Sequence, residues 1–201
     1  MKKIGIVIRD FNENDKMFVG CRKDVVDVFL KYSVEIILIP LFMDFSRVLF
    51  LVDLCDGVVL TGGDHFISND FSLVKYLYQH DIPTLGICLG MQAMALSFGD
   101  GEEISVSSLH NKKNNDTHNI IIKENSFLNQ IIHKQSILVN SRHNTGISRT
   151  NLFVSAISQD GVIEAVEDAG KRFFLGVEWH PESLKDKNSD LIFDSFIKSL
   201  H

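Results

Sequence analysis

Cys88 lies in the run Gly86-Ile87-Cys88-Leu89-Gly90-Met91-Gln92, directly after an apolar segment and at the start of a predicted helix. A cysteine between glycines at such a turn is placed for chemistry, because the turn lifts the thiol out of the sheet. The N-terminus of the following helix stabilises an anion, so we expect it to lower the pKa of the thiol. The alternative is a buried thiol that packs as a small apolar side chain.

A nucleophilic cysteine needs a base, and His180 follows a second apolar run late in the chain. Pro181 comes next and fixes one backbone angle, and Glu182 is then placed to orient the imidazole and stabilise its charged form. Taken alone, a His-Pro-Glu triplet also fits a surface turn with an incidental ion pair. Taken with Cys88, it predicts a Cys-His-Glu arrangement for acyl transfer.

The elements that must position these residues follow from the apolar pattern. Predicted strands at 4–8, 34–40, 57–60 and 84–87 alternate with predicted helices at 24–32, 47–54, 73–80 and after Cys88. This alternation predicts an α/β fold with a mostly parallel sheet, in which sites form at the carboxyl ends of strands. Cys88 and the turn Thr61-Gly62-Gly63 both fall at such ends.

The second half of the chain has a different pattern. A polar stretch at 110–119 predicts a loop, and it is followed by short predicted strands at 119–123, 136–140, 153–157 and 163–167. Short strands separated by turn residues are typical of an antiparallel meander. A last strand at 173–179 and a helix at 190–200 close the pattern. The length of 201 residues and the absence of a linker pattern predict one domain over residues 1–201.

The composition excludes several classes of function. The net charge of −6, from 20 basic and 26 acidic residues, argues against a general nucleic-acid binder. No apolar run approaches the roughly 18 residues of a membrane span, and the apolar start is too short for a secretory signal. An odd number of cysteines without such a signal predicts reduced thiols and a cytoplasmic protein.

No metal or cofactor is expected from the sequence. Cys21, Cys55 and Cys88 are spaced too widely for a zinc knuckle. His110, His118 and His133 are interpreted as surface or loop histidines and not as ligands.

Three elements together, Gly-x-Cys-x-Gly-x-Gln, the preceding Gly-Gly turn and the late His-Pro-Glu, resemble class I glutamine amidotransferases and their γ-glutamyl-hydrolysing relatives. The resemblance implies a three-layer fold with an antiparallel β extension in the second half. It implies that Cys88 attacks a γ-glutamyl carbonyl, that His180 activates the thiol, and that water releases glutamate from a thioester. It also implies that the backbone N–H groups of Gly63 and Leu89 hold the oxyanion.

Three further segments resemble the bacterial γ-glutamyl hydrolases grouped as C26 peptidases. They are residues 20–27 (Gly-Cys-Arg-Lys-Asp-Val-Val-Asp), 139–147 (Val-Asn-Ser-Arg-His-Asn-Thr-Gly-Ile) and 158–165 (Ser-Gln-Asp-Gly-Val-Ile-Glu-Ala). The resemblance implies that the backbone around Ser141 and Arg142 binds the α-amino and α-carboxylate groups of the glutamyl substrate. The implied substrate-binding residues are Gln92, Asn140, Ser141, Arg142, His143 and Arg22. The alternative for Asn140 and Ser141 is that they build a turn.

The chain departs from that pattern where the leaving amine should bind. Thr145 replaces a usual Gln, Gly20-Cys21 replaces an acidic pair, and the polar segment 9–18 is interpreted as a loop shorter than in polyamine-handling members. Within the family, the chain most resembles members that act on γ-glutamyl-CDP-amidate in bacterial capsule phosphoramidate biosynthesis. A nucleotide-linked substrate of this kind predicts cationic side chains near the leaving group, with Arg9, Arg22, Lys23 and Arg142 as candidates.

Three alternatives stay open. The chain could be a glutaminase subunit that passes ammonia to a synthase, or a γ-glutamyl-polyamine hydrolase. A catalytically inactive regulatory module of the same fold is a third alternative, although such a module usually lacks the Cys or the His. Beyond a small-molecule γ-glutamyl substrate, the sequence predicts no partner and leaves the oligomeric state open.

Overall fold

The computed structural model describes residues 1–107, 110–111 and 117–200, and it has the predicted α/β architecture. A mixed sheet is flanked by helices on both faces. The elements in chain order are β1 (Lys2–Glu13), β2 (Lys16–Gly20), α1 (Lys23–Phe29), β3 (Val34–Pro40), α2 (Phe45–Val52), β4 (Gly57–Leu60), α3 (Ser68–Gln79), β5 (Thr84–Ile87), α4 (Leu89–Leu96), β6 (Glu102–Ser105), β7 (Thr117–Ile122), α5 (Phe127–Ile132), β8 (Ser136–Asn140), β9 (Thr145–Arg149), β10 (Phe153–Ser158), β11 (Ile163–Glu167), β12 (Phe174–Val177), α6 (Pro181–Leu184) and α7 (Lys187–Ser199).

The centre of the sheet is parallel, in the order β3-β1-β4-β5-β12. Strands β4, β5 and β12 are four-residue runs buried along their whole length, as expected for strands covered by helices on both faces. The bounds of β3, β4 and β5 coincide with the predicted ones. Because β4, β5 and β12 are parallel neighbours, the residues that follow them meet at one edge of the sheet.

An antiparallel extension continues from β12 through β11, β10, β7 and β8, while β9 pairs with both β6 and β11. Strands β8 and β11 have the predicted bounds. Strand β7 begins at Thr117, so the predicted loop at 110–119 is wrong at its end, and its residues 112–116 lie outside the described residues. Helix α5 and strands β6 and β9 are not predicted by the apolar pattern.

The predicted polar loop at 9–18 is wrong. Strand β1 continues to Glu13, and β2 pairs back against it in an antiparallel hairpin. Asn14 and Asp15 make the turn with φ of 53° and 60°, the left-handed values that a tight two-residue hairpin turn requires. The rings of Phe11 and Phe18 stack across the two strands with centroids 5.8 Å apart. The early segment therefore forms a stiff arm.

The helices differ from their predicted bounds at one or both ends: α1 ends three residues earlier than predicted, and α3 and α7 begin earlier. Helix α3 begins at Ser68, because the Asp70 side chain accepts a hydrogen bond from the N–H of Ile67 at 2.8 Å and caps the first turn. Helix α7 begins at Lys187, where Asp186 accepts from the N–H of Ser189. None of the helices in the described part of the chain combines the length and apolar character that a membrane crossing requires.

The core consists of one apolar cluster on each face of the sheet. Phe29, Phe193 and Phe196 pack together on one face, with edge-to-face rings of α1 and α7. Leu77 of α3 and Met94 of α4 belong to the cluster on the other face. Burial of each such side chain is worth about 1.5–3 kcal/mol, so the central strands are held rigidly from both sides.

Candidate active site

Three neighbouring strand ends bring the predicted chemical residues to one place. Cys88 directly follows β5. Two residues separate His180 from the end of β12, and one residue separates Gly62 from the end of β4. A Cβ atom added to Gly62 would lie 3.2 Å from Cε1 of His180 and 3.5 Å from Cβ of Cys88. Cys88 and the imidazole of His180 therefore both border the space that a side chain at position 62 would fill.

The backbone of Cys88 has a conformation that L-residues rarely adopt, with φ of 52° and ψ of −112°. Its N–H donates to the carbonyl of Val177 at 2.8 Å, and its carbonyl accepts from the N–H of Gln92 at 3.0 Å. Such strain persists only where the surroundings hold it, and it is typical of functional sites. The sharp turn aims the thiol away from the sheet.

The two glycines of the motif do not supply the turn angles, because the positive φ belongs to Cys88 itself. They permit close packing instead. A Cβ at Gly90 would collide with the carbonyl group of Leu60 in β4, and one at Gly86 would collide with Met91 and Met94 of α4. The motif thus seats the start of α4 directly on two central strands.

His180 is hydrogen-bonded to the acid that the sequence predicts. Its Nδ1 lies 2.7 Å from Oε1 of Glu182, and the two side chains are 9% and 1% exposed. Pro181 starts the short helix α6, which turns Glu182 back toward the ring. With Nδ1 engaged by the carboxylate, the imidazole presents Nε2 as its free nitrogen.

The expected low pKa of the Cys88 thiol is wrong. Burial raises the pKa well above its ordinary value, and the negative charges of Glu178, Glu182 and Glu164 raise it further. A backbone hydrogen bond from Leu89 at the start of α4 acts in the opposite direction but is outweighed. The thiol is therefore protonated at rest and needs a base to remove its proton.

A cavity of about 330 Å³ opens at this edge of the sheet. Gly62, Gly63 and Cys88 line it together with residues of the β1–β2 hairpin. The lining residues are Arg9, Asp10, Phe11, Gly20, Cys21, Arg22, Val25, Thr61, Gly62, Gly63, Asp64, Cys88, Arg142, His180 and Glu182. Of the two residues predicted for the oxyanion site, Gly63 lines the cavity, whereas Leu89 is not among the lining residues. Leu89 packs its side chain against Gly63, and its backbone hydrogen-bonds the Cys88 thiol.

Two of the predicted cationic side chains, Arg22 and Arg142, line the cavity close to each other. The Arg22 side chain is 55% exposed and pairs with Asp24 at 3.1 Å. Burial lowers the pKa of Arg142, and the nearby charge of Arg22 lowers it further, while the charges of Glu182 and Asp24 act in the opposite direction. The acids Asp10, Asp64 and Glu182 line the same cavity.

The other two predicted cations, Arg9 and Lys23, pair with the acids Asp70 and Asp27. Arg9 lines the cavity, but its guanidinium makes a buried bidentate pair with Asp70 at 2.5 and 3.0 Å. That pair ties the hairpin to the start of α3. Lys23 is exposed and pairs with Asp27 on its own helix.

Four of the predicted substrate-binding side chains do not line the cavity. Asn140 bonds to the backbone of His180, and Ser141 donates from its hydroxyl to the carbonyl of His110 at 2.8 Å.

Gln92 donates to the carbonyl of Thr145 at 3.0 Å and to Glu178 at 2.6 Å. His143 is buried with its Nδ1 2.7 Å from the carbonyl of Thr145, and burial lowers its pKa. These side chains therefore bond to residues around the site and do not line the cavity.

The comparisons with known proteins agree with this geometry. The sequence profile of the Peptidase C26 family matches residues 67–182, which include both Cys88 and His180. The chain belongs to the Peptidase C26 family. That membership identifies it as an amide hydrolase of glutamine amidotransferase-like type.

Curated relatives of this C26 chain match it over different shares of their own length. The glutamine amidotransferase-like protein RP404 of Rickettsia prowazekii is 26% identical over 74% of the chain and 78% of its own length. A glutamine-hydrolyzing GMP synthase of Francisella tularensis is 25% identical over 97% of the chain, which spans only 36% of that synthase.

Solved structures confirm the glutamine amidotransferase fold of the C26 chain. A proposed GMP synthase component from Thermoplasma acidophilum superposes with a TM-score of 0.74 and 23% identity, covering 99% of this chain and 94% of that one. The glutaminase domain of CTP synthase from Trypanosoma brucei gives 0.70 at 17% identity, covering 100% and 95%.

Sequence reasoning missed the acids behind the site. Glu178 and Glu164 are fully buried, and burial together with the charge of Glu164 raises the pKa of Glu178 well above its ordinary value. Glu178 precedes Trp179 and His180 in the chain, and Glu164 lies between apolar residues of β11. An acid inside an apolar run is the signal that could have found them.

Proposed function

We propose that the C26 chain hydrolyses a γ-glutamyl amide, with Cys88 as nucleophile, His180 as general base and acid, and Glu182 as the group that orients His180. The observation that carries the proposal is the 2.7 Å contact between Nδ1 of His180 and Glu182, formed on the same cavity wall as Cys88. It leaves Nε2 of the imidazole to exchange protons on the cavity side.

The chemistry follows from the protonated resting thiol. His180 takes the thiol proton as the sulfur attacks the γ-carbonyl carbon, and the N–H groups at Leu89 and Gly63 stabilise the oxyanion. The C–N bond then breaks, and His180 returns the proton to the leaving nitrogen. Water, deprotonated by His180, attacks the thioester and releases glutamate and the free thiol. No step requires a cofactor.

The leaving group is proposed to be anionic. Arg22 and Arg142 line the cavity together and favour phosphate oxygens, which guanidinium groups bind in bidentate fashion. A γ-glutamyl amide of a phosphate-bearing amine meets this requirement, and γ-glutamyl-CDP-amidate is the specific candidate. Its hydrolysis would yield glutamate and cytidine diphosphoramidate for capsule biosynthesis. A polyamine leaving group would have to bind beside the same two cations, although Asp10 and Asp64 also line the cavity.

A second candidate function is that of a glutaminase subunit. The β1–β2 hairpin beside the cavity exposes Phe11, Met17, Phe18 and Val19, with 41–63% of each side chain accessible. Exposed apolar surface of this kind fits a protein partner. The GMP synthase relatives, in which the matched region is about a third of the protein, favour the same alternative.

A substrate panel separates the candidates. Glutamate release is measured for the purified chain with γ-glutamyl-CDP-amidate, γ-glutamyl polyamines, γ-glutamyl peptides and glutamine. We expect the first to give the highest kcat/KM, without ATP or a second protein. Preference for glutamine, with stimulation by a synthase, would instead support the glutaminase subunit.

Variants of the two arginines test the anion site. Arg142→Met and Arg22→Met should each lower kcat/KM for the phosphate-bearing conjugate by about tenfold or more, because each removes a charge-assisted contact. Glutamine hydrolysis should change little. Lys23→Met is the matched control, since Lys23 is exposed and pairs with Asp27. Equal losses on all substrates would contradict an anion-specific role.

A further inference from the structure

A second cluster of chemically active side chains lies behind the candidate active site. His110, His143 and Glu164 are 1%, 4% and 0% exposed, and one ligand atom from each lies within 4.8 Å of the others. None of the three lines the cavity that holds Cys88. They come from separate parts of the chain: His110 precedes β7, His143 lies between β8 and β9, and Glu164 lies in β11.

His143 presents a lone pair to the interior. Its Nδ1 lies 2.7 Å from the carbonyl oxygen of Thr145, and a carbonyl only accepts, so Nδ1 carries the proton. The other nitrogen, Nε2, is buried and has no partner among the residues that the structure describes. A histidine that ligates a metal has this arrangement, with one nitrogen donating to a carbonyl and the other free.

His110 also has one nitrogen that donates and one that presents a lone pair, although the roles of Nδ1 and Nε2 are exchanged relative to His143. Its Nε2 lies 3.1 Å from both oxygens of Asp160 and is therefore the donor. Its Nδ1 then presents a lone pair 3.4 Å from Oε1 of Glu164. The hydroxyl of Ser141 is also 3.4 Å away, but its hydrogen is donated to the carbonyl of His110. A lone pair and a carboxylate oxygen that face each other favour a cation.

Glu164 completes the set. Its Oε1 accepts from Nε2 of His118 at 2.9 Å, while its Oε2 is buried without a partner among the described residues. Glu178 is a second fully buried acid and bonds to Nδ1 of His143 at 3.1 Å. Two carboxyl groups buried in one region are destabilising in their charged form unless positive charge compensates them.

We propose that His110 Nδ1, His143 Nε2 and Glu164 form a binding site for one Zn²⁺ ion. Imidazole nitrogens with a carboxylate oxygen are a ligand set that zinc prefers. Asp160 and His118 hold the ligands in place, as the second layer of a metal site does. The prediction of no metal rested on cysteine spacing and on the interpretation of His110 and His118 as surface or loop histidines. That interpretation is wrong for His110, which is buried where the fold brings it next to His143 and Glu164.

The role of the ion is structural. It joins the segment before β7, the β8–β9 connection and β11, and so ties the antiparallel extension together behind His180. Its charge offsets the buried acids. Because its ligands are separate from the cavity lining, the binding of the ion does not depend on the reaction proposed for Cys88.

Zinc titration of the chelator-treated full chain tests this site. A Cys88→Ser background removes the catalytic-site thiol as a competing ligand. We expect one Zn²⁺ per chain by calorimetry and elemental analysis, with a higher melting temperature, and a tetrahedral absorption spectrum with Co²⁺. His143→Gln and Glu164→Gln should each weaken Zn²⁺ binding by about 10–100-fold or more.

His133→Asn is the matched control, since His133 is an exposed histidine in a left-handed conformation that Asn tolerates. It should bind Zn²⁺ as the background protein does. Absence of one-to-one Zn²⁺ binding to the chelator-treated background protein would overturn the proposal without reference to any variant. Unchanged affinity in a His143→Gln protein that is folded by circular dichroism would also overturn it.

Discussion

The side-chain amide of Asn140 holds the backbone of His180 from both sides. Its Nδ2 donates to the carbonyl of His180 at 3.0 Å, and its Oδ1 accepts from the N–H of His180 at 2.8 Å. Asn140 ends β8, in the antiparallel extension, whereas His180 follows the central strand β12. The two halves of the sheet are therefore joined at the residue proposed as the base.

Asn140→Ala should lower kcat by about 10–100-fold with little change in KM, because a shift of the imidazole harms proton transfer more than substrate binding. It should also lower the free energy of unfolding by about 1–3 kcal/mol, since two buried backbone groups lose their partners. Steady-state kinetics and denaturant unfolding measure the two effects. Asn129→Ala, which removes an exposed side chain to backbone bond on α5, is the control. A rise in KM with kcat unchanged would indicate direct substrate contact instead.

Glu182→Gln should lower kcat by about 10²–10⁴-fold, because the neutral amide no longer stabilises the imidazolium that forms during thiol attack. The substitution keeps the size of the side chain, so the melting temperature should change little. Glu35→Gln, at an exposed position in β3, serves as the control. If Glu182→Gln retained activity within twofold of the parent, the orienting role of Glu182 would be excluded.

The reactivity of Cys88 should increase with pH into the alkaline range. Burial and the charge of Glu178 raise the pKa of the thiol, so the thiolate fraction grows about tenfold per pH unit until that raised pKa is reached. The rate of iodoacetamide alkylation at Cys88, followed by peptide mass spectrometry, measures this dependence. Cys88→Ala reports the background from Cys21 and Cys55. If the alkylation rate reached a plateau at or below about pH 8, the thiol would have a low pKa, which would contradict the raised pKa of Cys88.

Gly90→Ala tests the packing of the nucleophile turn. Replacing glycine by alanine inside a helix ordinarily stabilises it by about 0.5–1 kcal/mol. At Gly90 the added methyl group would collide with the carbonyl of Leu60, and such overpacking costs about 1–3 kcal/mol. We therefore expect a net loss of stability in urea unfolding, together with reduced activity. In the control Gly20→Ala, the methyl group meets Phe11 at an ordinary 3.6 Å. A stabilised Gly90→Ala protein would contradict the close contact.

The central strands were predictable because burial on both faces leaves a continuous apolar run. Strands β4 and β5 are buried along their whole length, and their bounds follow directly from that pattern. Strand β3 also has an apolar run, although most of its residues are only partly buried or exposed. The β1–β2 hairpin was missed because its residues are mostly polar and exposed. Its stability depends on pairing between distant residues and on the turn at Asn14 and Asp15, which a search for apolar runs does not detect.

In the site too, local sequence patterns were predictable, and contacts between residues far apart in the chain were not. The turn at Cys88 and the pair of His180 and Glu182 are local patterns, and the parallel sheet brings them together as predicted. The direction of the thiol pKa shift was not predictable, because it depends first on burial of the thiol and then on the charges of Glu178, Glu182 and Glu164, which the fold brings together. The cluster at His143 was missed for the same reason, since its members are far apart in the chain.

The central claim is that Cys88 carries the glutamyl group during hydrolysis. Reactions of the purified chain with a γ-glutamyl conjugate can be quenched in acid and examined by intact-protein mass spectrometry, alongside an assay of glutamate release. We predict one glutamyl adduct on the wild-type chain, located at Cys88, with no adduct and a loss of several orders of magnitude in turnover for Cys88→Ala. Normal turnover by Cys88→Ala would contradict the account.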